Sequence, residues 1–253
     1  MSRFSNNFSL KCGKNVNIVV ARMCLSHLRK YVLDKYLLGG TRMAQQEPNM
    51  NQLSEEVQAH NKAQIKELLL STARPGMDRL LAWMEQKTDF FTGPASGKYH
   101  LCCKGGLAQH SLNVYSLLKQ KVEIGLLELK PETVIITALL HDLCKVNFYF
   151  IEKKNVKEGN KVNAYGKEVA NWVEKEVWAI HDSFPVGHGE KSCFYIQRFM
   201  QLSEEEYAMI RLHMGSDRSG YPDPFTETAA VYPGVIAIHT SDLESAFIVE
   251  TRG

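Results

Sequence analysis

Histidine and aspartate stand side by side at His141-Asp142, at the end of the apolar run VIITALL. An ionised carboxylate beside an imidazole is costly in an apolar setting unless something compensates it. A metal ion is one such compensation, because neutral imidazole and carboxylate together suit Mn, Fe, Co, Ni or Zn. The dipeptide alone is weak, since His181-Asp182 repeats it. What singles out the first pair is its company. His110 lies in GGLAQHSLNV, His188 in VGHGEKS, His213 in IRLHMG and Asp242 in HTSDLESA. Each falls near a helix end or on an apolar helix face, where side chains from several helices can converge. Taken singly, each reads as a packed core histidine or a capping aspartate; the metal reading belongs to the ordered set.

Helices must hold these side chains, and the chain reads as helix after helix from residue 51 onward. Apolar spacing predicts helices over 52–71 and 77–87, interrupted by Pro75-Gly76, and an amphipathic helix over 107–121. Pro131 opens the next helix, which is apolar on all faces and therefore expected to be buried. Residues 146–187 are the least helical stretch and predict a hairpin turning around Glu158-Gly159-Asn160. Helices resume over 188–201, and Ser203-x-x-Glu206 is a capping box opening 204–214. A loop, GSDRSGYPDPF, precedes a final helix from about 226 to 250. The expected class is all-α, a helical bundle with a small β-hairpin insertion.

Other residues carry weaker readings. His181-Asp182 sits in an irregular stretch before Phe184-Pro185 and reads as a decoy. His239 precedes Asp242 by three residues and reads as packing or support rather than ligation. Glu190 is either a partner that orients His188 or a plain first-turn acid. The vicinal pair Cys102-Cys103 is redox-active or incidental, and Tyr149, Trp172 and Trp178 line a substrate mouth or pack the core. His27, His60 and His100 carry no signal.

The order H…HD…H…H…D, with KGGLAQHSLNV, LLHDLCKV, GHGE, IRLHMG and HTSDLESA, resembles the HD-domain metal-dependent phosphohydrolases over about residues 95–250. It is most similar to the branch with extra histidines between the HD pair and the final Asp, which holds two metals. The resemblance implies that His110, His141, Asp142 and Asp242 hold one divalent transition metal ion. It implies that His188 and His213 hold a second, with Asp142 bridging. Lys145, in HDLCK, matches the family lysine that faces a substrate phosphate; it lies one helical turn beyond His141 (i, i+4) and so can point to the same side of the helix. Arg218, in the loop after His213, is a second candidate for the phosphate or an ordinary loop arginine. Two departures stand out. Cys144 occupies the place of the family's usual Gly, and the segment between HD and His188 is long.

The resemblance implies hydrolysis of a phosphate ester, from a small phosphorylated substrate such as a nucleotide, by a metal-activated hydroxide. Asp142 and Lys145 are the residues expected to carry that chemistry. Rival readings are an HD-fold di-iron oxygenase, which shares the ligand set, a nucleotide sensor without turnover, and a 3′-to-5′ exonuclease or phosphodiesterase acting on nucleic acid.

Composition bounds these readings. The chain has 253 residues, 44% hydrophobic and 23% charged, which is too apolar for disorder. Residues 1–44 hold eight basic groups and one acid, while the rest of the chain holds 22 basic and 27 acidic groups. Residues 1–50 therefore read as a basic extension, and 51–253 as the catalytic domain. The mildly acidic body is no basic platform for long nucleic acid. No apolar run reaches about 18 residues, so no membrane span is expected. Six cysteines without a C-x-x-C pair argue against a zinc ribbon, and with no export pattern the expectation is reduced thiols in the cytoplasm.

Overall fold

Ser54 turns its hydroxyl toward the Val57 amide and starts helix α1 (Glu55–Ser71), with Glu55 and Glu56 placed at its positive end. The computed structural model describes residues 53–216 and 224–250. The basic extension and Arg218 lie outside those residues. After α1 come α2 (Met77–Lys87), α3 (Gly106–Glu123) and α4 (Pro131–Leu140). Strands β1 (Tyr149–Val162) and β2 (Glu168–Ile180) follow, and then α5 (His188–Gln197), α6 (Glu204–Arg211), α7 (Pro224–Val231) and α8 (Gly234–Glu244). Among the described residues the fold is thus eight helices with one two-stranded antiparallel sheet. None of those helices is long and apolar enough to cross a membrane.

Helix α4 is the axis of the bundle. Pro131 opens it, and every residue from Thr133 to Leu140 is buried. It serves two apolar clusters at once. Ile136, Leu139 and Leu140 pack with Ile65, Leu69, Met84, Phe90 and Ile196, while Val134 and Ala138 pack with Val114, Leu118, Met209, Val235 and Ile238. Full burial of each such aliphatic side chain stabilises the fold by about 1.5–3 kcal/mol. The predicted capping box of α6 is present, with the Ser203 amide donating to Glu206 Oε2 at 2.9 Å and the Glu206 amide donating to Ser203 Oγ at 3.2 Å. Glu206 is fully buried and also accepts both Arg74 terminal nitrogens, at 3.1 and 2.6 Å. That bond ties the start of α6 to the α1–α2 loop.

Two boundaries differ from the sequence reading. The hairpin turns at Asn163–Lys167, where the Asn163 carboxamide oxygen accepts the Tyr165 and Lys167 amides and Gly166 takes φ +72°. Gly159, the expected turn, instead sits at φ +65° in a bulge where the register shifts between Lys157 and Asn160. Both glycines satisfy the left-handed requirement, and the Asn163 bonds decide between them. The expected final helix also divides. Pro233, which lacks an amide proton, separates α7 from α8, and a π-helical turn over Ser245–Val249 follows α8.

Candidate metal centre

Helix ends place most of the implied ligands. His141 is the C-cap of α4, and its Nδ1 donates to the Ala138 carbonyl at 2.9 Å. His213 follows α6 in the same way, with Nδ1 donating to the Ile210 carbonyl at 2.7 Å. In both cases the ring takes up one of the carbonyls that a helix end leaves unpaired. Asp142 breaks the helix with φ −101° and ψ 21°, and a short 3₁₀ turn, Leu143–Lys145, follows. His110 lies in the second turn of α3, which starts from Gly105 at φ +79°; a Cβ on Gly106 would strike the Leu101 carbonyl. His188 is the first residue of α5. Gly189 beside it lets α5 approach the Arg211 backbone so closely that no side chain would fit.

These residues converge on Asp142. Its Oδ2 lies 3.5 Å from His110 Nε2, 3.4 Å from His141 Nε2 and 2.6 Å from Lys145 Nζ. Its Oδ1 lies 3.5 Å from His213 Nε2 and 3.9 Å from Cys144 Sγ. Asp242 Oδ1 stands 3.1 Å from His110 Nε2 and 3.9 Å from His141 Nε2. Ligand atoms fall into compact sets: His110 with His141 and Asp142, His141 with His213 and Asp242, and Asp142 with Cys144 and His188. His213 thus groups with His141 and Asp242, while His188 stands on the Cys144 side of Asp142.

The imidazoles are prepared to ligate. His110, His141 and His213 are fully buried, and each has its Nδ1 committed to a hydrogen bond. That fixes the proton on Nδ1 and turns a bare Nε2 lone pair into the centre. All three Nε2 atoms are buried without a hydrogen-bond partner, as is His188 Nδ1. The charges are set by the carboxylates around the rings. Burial alone would lower the His110 imidazole, yet Asp142, Asp242 and Glu250 hold it well above its ordinary value. Burial would raise Asp142, but Lys145 and His141 hold it well below the usual carboxylate range. Asp242 is likewise held low by His110 and His141 against the effect of burial. The carboxylates of Asp142, Asp242 and Glu250 set against the Lys145 ammonium leave the cluster short of positive charge. A divalent cation bound by imidazole and carboxylate fits both the lone pairs and the deficit.

Glu250 was not anticipated from sequence. Its carboxylate accepts from His110 Nδ1 at 2.9 Å, from Asn113 Nδ2 at 3.0 Å and from Ser245 Oγ at 2.5 Å, with its side chain 1% exposed. It orients His110 from behind. His100, read as carrying no signal, has its ring 5.0 Å from that of His110, and burial followed by the nearby His110 lowers its imidazole to about 4.

Glu190 pairs with Arg211 Nη2 at 2.7 Å rather than orienting His188. His239 Nδ1 donates to the His213 carbonyl at 2.7 Å and so braces the turn that carries His213. Cys102 is buried, and burial pushes its thiol up to about 11, away from redox reactivity. His181 is exposed, and Asp182 holds Lys191 Nζ at 2.5 Å. Lys145 lies at the end of the 3₁₀ turn rather than in a continued α-helix, and its ammonium meets Asp142 Oδ2, the oxygen that also faces His141.

The family model for the HD domain matches residues 107–218. The match spans His110, His141, Asp142, His188 and His213; Asp242 joins them through its distances alone. No curated protein and no solved structure matches the chain.

Proposed function

Because the chain carries an HD domain, a fold whose members are generally metal-dependent hydrolases, we propose that it hydrolyses a phosphate ester of a nucleotide with two divalent metal ions. The observation that carries this reading is the set of three imidazoles with Nδ1 tied back and Nε2 bare, facing Asp142 and Asp242. His110, His141, Asp142 and Asp242 would hold one ion. His188 and His213 would hold the other, with Asp142 between them; its Oδ2 faces His110 and His141 while its Oδ1 faces His213. When bound, such ions supply a water of lowered pKa and positive charge beside the phosphoryl oxygens.

The chain's own residues do the rest. Glu250, Ala138 and Ile210 keep the lone pairs of His110, His141 and His213 aimed inward. Lys145 has a side chain 11% exposed and an ammonium anchored on Asp142. It sets a fixed cation where negative charge grows on the phosphate, which needs no reorganisation during reaction. Cys144 stays a neutral thiol, since burial and Asp142 push it up to about 12. Unpaired thiols at Cys102, Cys103, Cys144 and Cys193 suit a reducing compartment such as the cytoplasm.

Metal analysis of the purified protein tests the reading, followed by phosphate release from nucleoside mono- and triphosphates, cyclic dinucleotides and short RNA. Stoichiometric transition metal and turnover of a nucleotide are expected. Oxygen uptake with iron and no phosphate release would overturn it.

A further inference from the structure

Lys191, on α5, is a buried ammonium: it is 5% exposed, holds Asp182 at 2.5 Å and lies 5.1 Å over the Phe148 ring. It borders two hollows. The smaller one contains Lys145, Cys144 and His188, at the edge of the metal centre. The larger, a cleft of about 210 Å³, is walled by Trp83, Lys87, Tyr195 and Arg198. Phe148 and Lys191 line both, so the cleft shares a wall with the narrow crevice beside the centre.

Three features give the cleft its chemistry. It presents Lys87 and Arg198 beside Lys191, whose own charge is paired with Asp182, and no carboxylate is among its described lining residues. Lys87 and Arg198 are exposed, and neither is in an ion pair with a described residue. Like charges gathered in a concave wall focus a positive potential that attracts anions. The aromatic wall is also committed: Trp83 packs on Tyr195 at 5.6 Å and on Phe199 at 5.4 Å, which favours a phosphate over a stacked base. The size is right for a group rather than a molecule. Whole-ligand pockets run about 300–1,000 Å³, and a strand of nucleic acid would not fit.

We propose that this cleft is a subsite for a second phosphate group, so that the substrate is a nucleoside di- or triphosphate rather than a monophosphate. The assignment rests on the hydrolase reading, in which the first phosphate lies at the metal centre beside Lys145. Asp182 then acts as a positioning residue, holding Lys191 between the two phosphates.

The test is calorimetric titration of the manganese-loaded full chain, in excess manganese, with AMP and with α,β-methylene-ADP. The same pair is titrated into Lys87→Gln/Arg198→Gln, and phosphate release is assayed in parallel. Both substituted positions are exposed, and an unchanged thermal midpoint verifies the fold; Arg198→Gln alone carries the same comparison if the double variant unfolds. The expected result is a loss of about tenfold in affinity for α,β-methylene-ADP, from two missing charged contacts, with AMP unchanged. Equal losses for both ligands, or no loss for either, would overturn the subsite. Tighter capture of a short oligonucleotide than of α,β-methylene-ADP would overturn it too. If no ester is hydrolysed but the selective loss is seen, the hydrolase reading fails and the subsite stands. If nucleotides are hydrolysed without the selective loss, the reverse holds.

Discussion

The chain writes histidine-aspartate twice, and the two copies meet opposite surroundings. His141 and Asp142 are 0% and 2% exposed at the end of the central helix. His181 and Asp182 are exposed where β2 leaves the sheet. Each aspartate has a lysine, Lys145 at 2.6 Å and Lys191 at 2.5 Å. What differs is the imidazoles. His110, His141 and His213 each place Nε2 within 3.5 Å of Asp142, whereas among the described residues no histidine pairs with Asp182. The backbone differs as well. His141 ends a helix and gives its Nδ1 to a stranded carbonyl, while His181 uses its amide to close the hairpin on the Phe148 carbonyl at 2.9 Å. The same two letters become the middle of a buried imidazole-carboxylate cluster or a hairpin clasp according to what burial and helix termination put around them.

Substitutions can break or sharpen this contrast. The largest effect is expected from Asp142→Ala, which removes the residue on which the ligand sets converge. Metal content by elemental analysis should fall to background, and full retention of metal would break the comparison. Lys145→Ala should slow turnover by about 10²–10³-fold, the scale of losing one preorganised charge donor. Metal should stay bound, so a parallel loss of metal would instead make Lys145 part of the ligand shell. Glu250→Ala should weaken metal binding by about 10–100-fold, as expected when the partner that orients a ligating imidazole is removed. Competition with a chelator measures this, and unchanged affinity would show that His110 needs no support. The smallest effect is His181→Ala. Metal content should not change, and stability should stay within about 0.5 kcal/mol in denaturant unfolding. Loss of metal here would erase the distinction between the two copies.

Legibility from sequence followed the range over which each feature is decided. Helices α1 through α4 were readable because apolar period, Pro75-Gly76 and Pro131 are local signals that agree with the packing. The convergence of His110, His141, Asp142, His188, His213 and Asp242 was legible only through their order and company, because no single one differs from a core histidine or a cap. Glu250 was not legible. It reaches His110 because the chain passes through the π-helical turn at Ser245–Val249, and a continuous helix to residue 250 gives no reason to expect that return. The hairpin turn was misplaced by a few residues because Gly159 and Gly166 both take positive φ, and only the Asn163 bonds choose one. Asp142 ends the helix in which Lys145 was expected, yet Lys145 and His141 still face the same Asp142 oxygen.

The ribbon formed by β1 and β2 carries one more consequence. Among the described residues each strand is paired along one edge only, and few of its side chains are buried. Such a two-stranded element is marginal by itself. Deuterium should therefore enter its amides as a gradient, fastest at the Asn163–Lys167 tip and slowest at the clasp where the His181 amide meets Phe148. Fraying that starts at the tip reaches the clasp last, so the ribbon can breathe while the helix ends that aim His141 and His213 keep their hydrogen bonds.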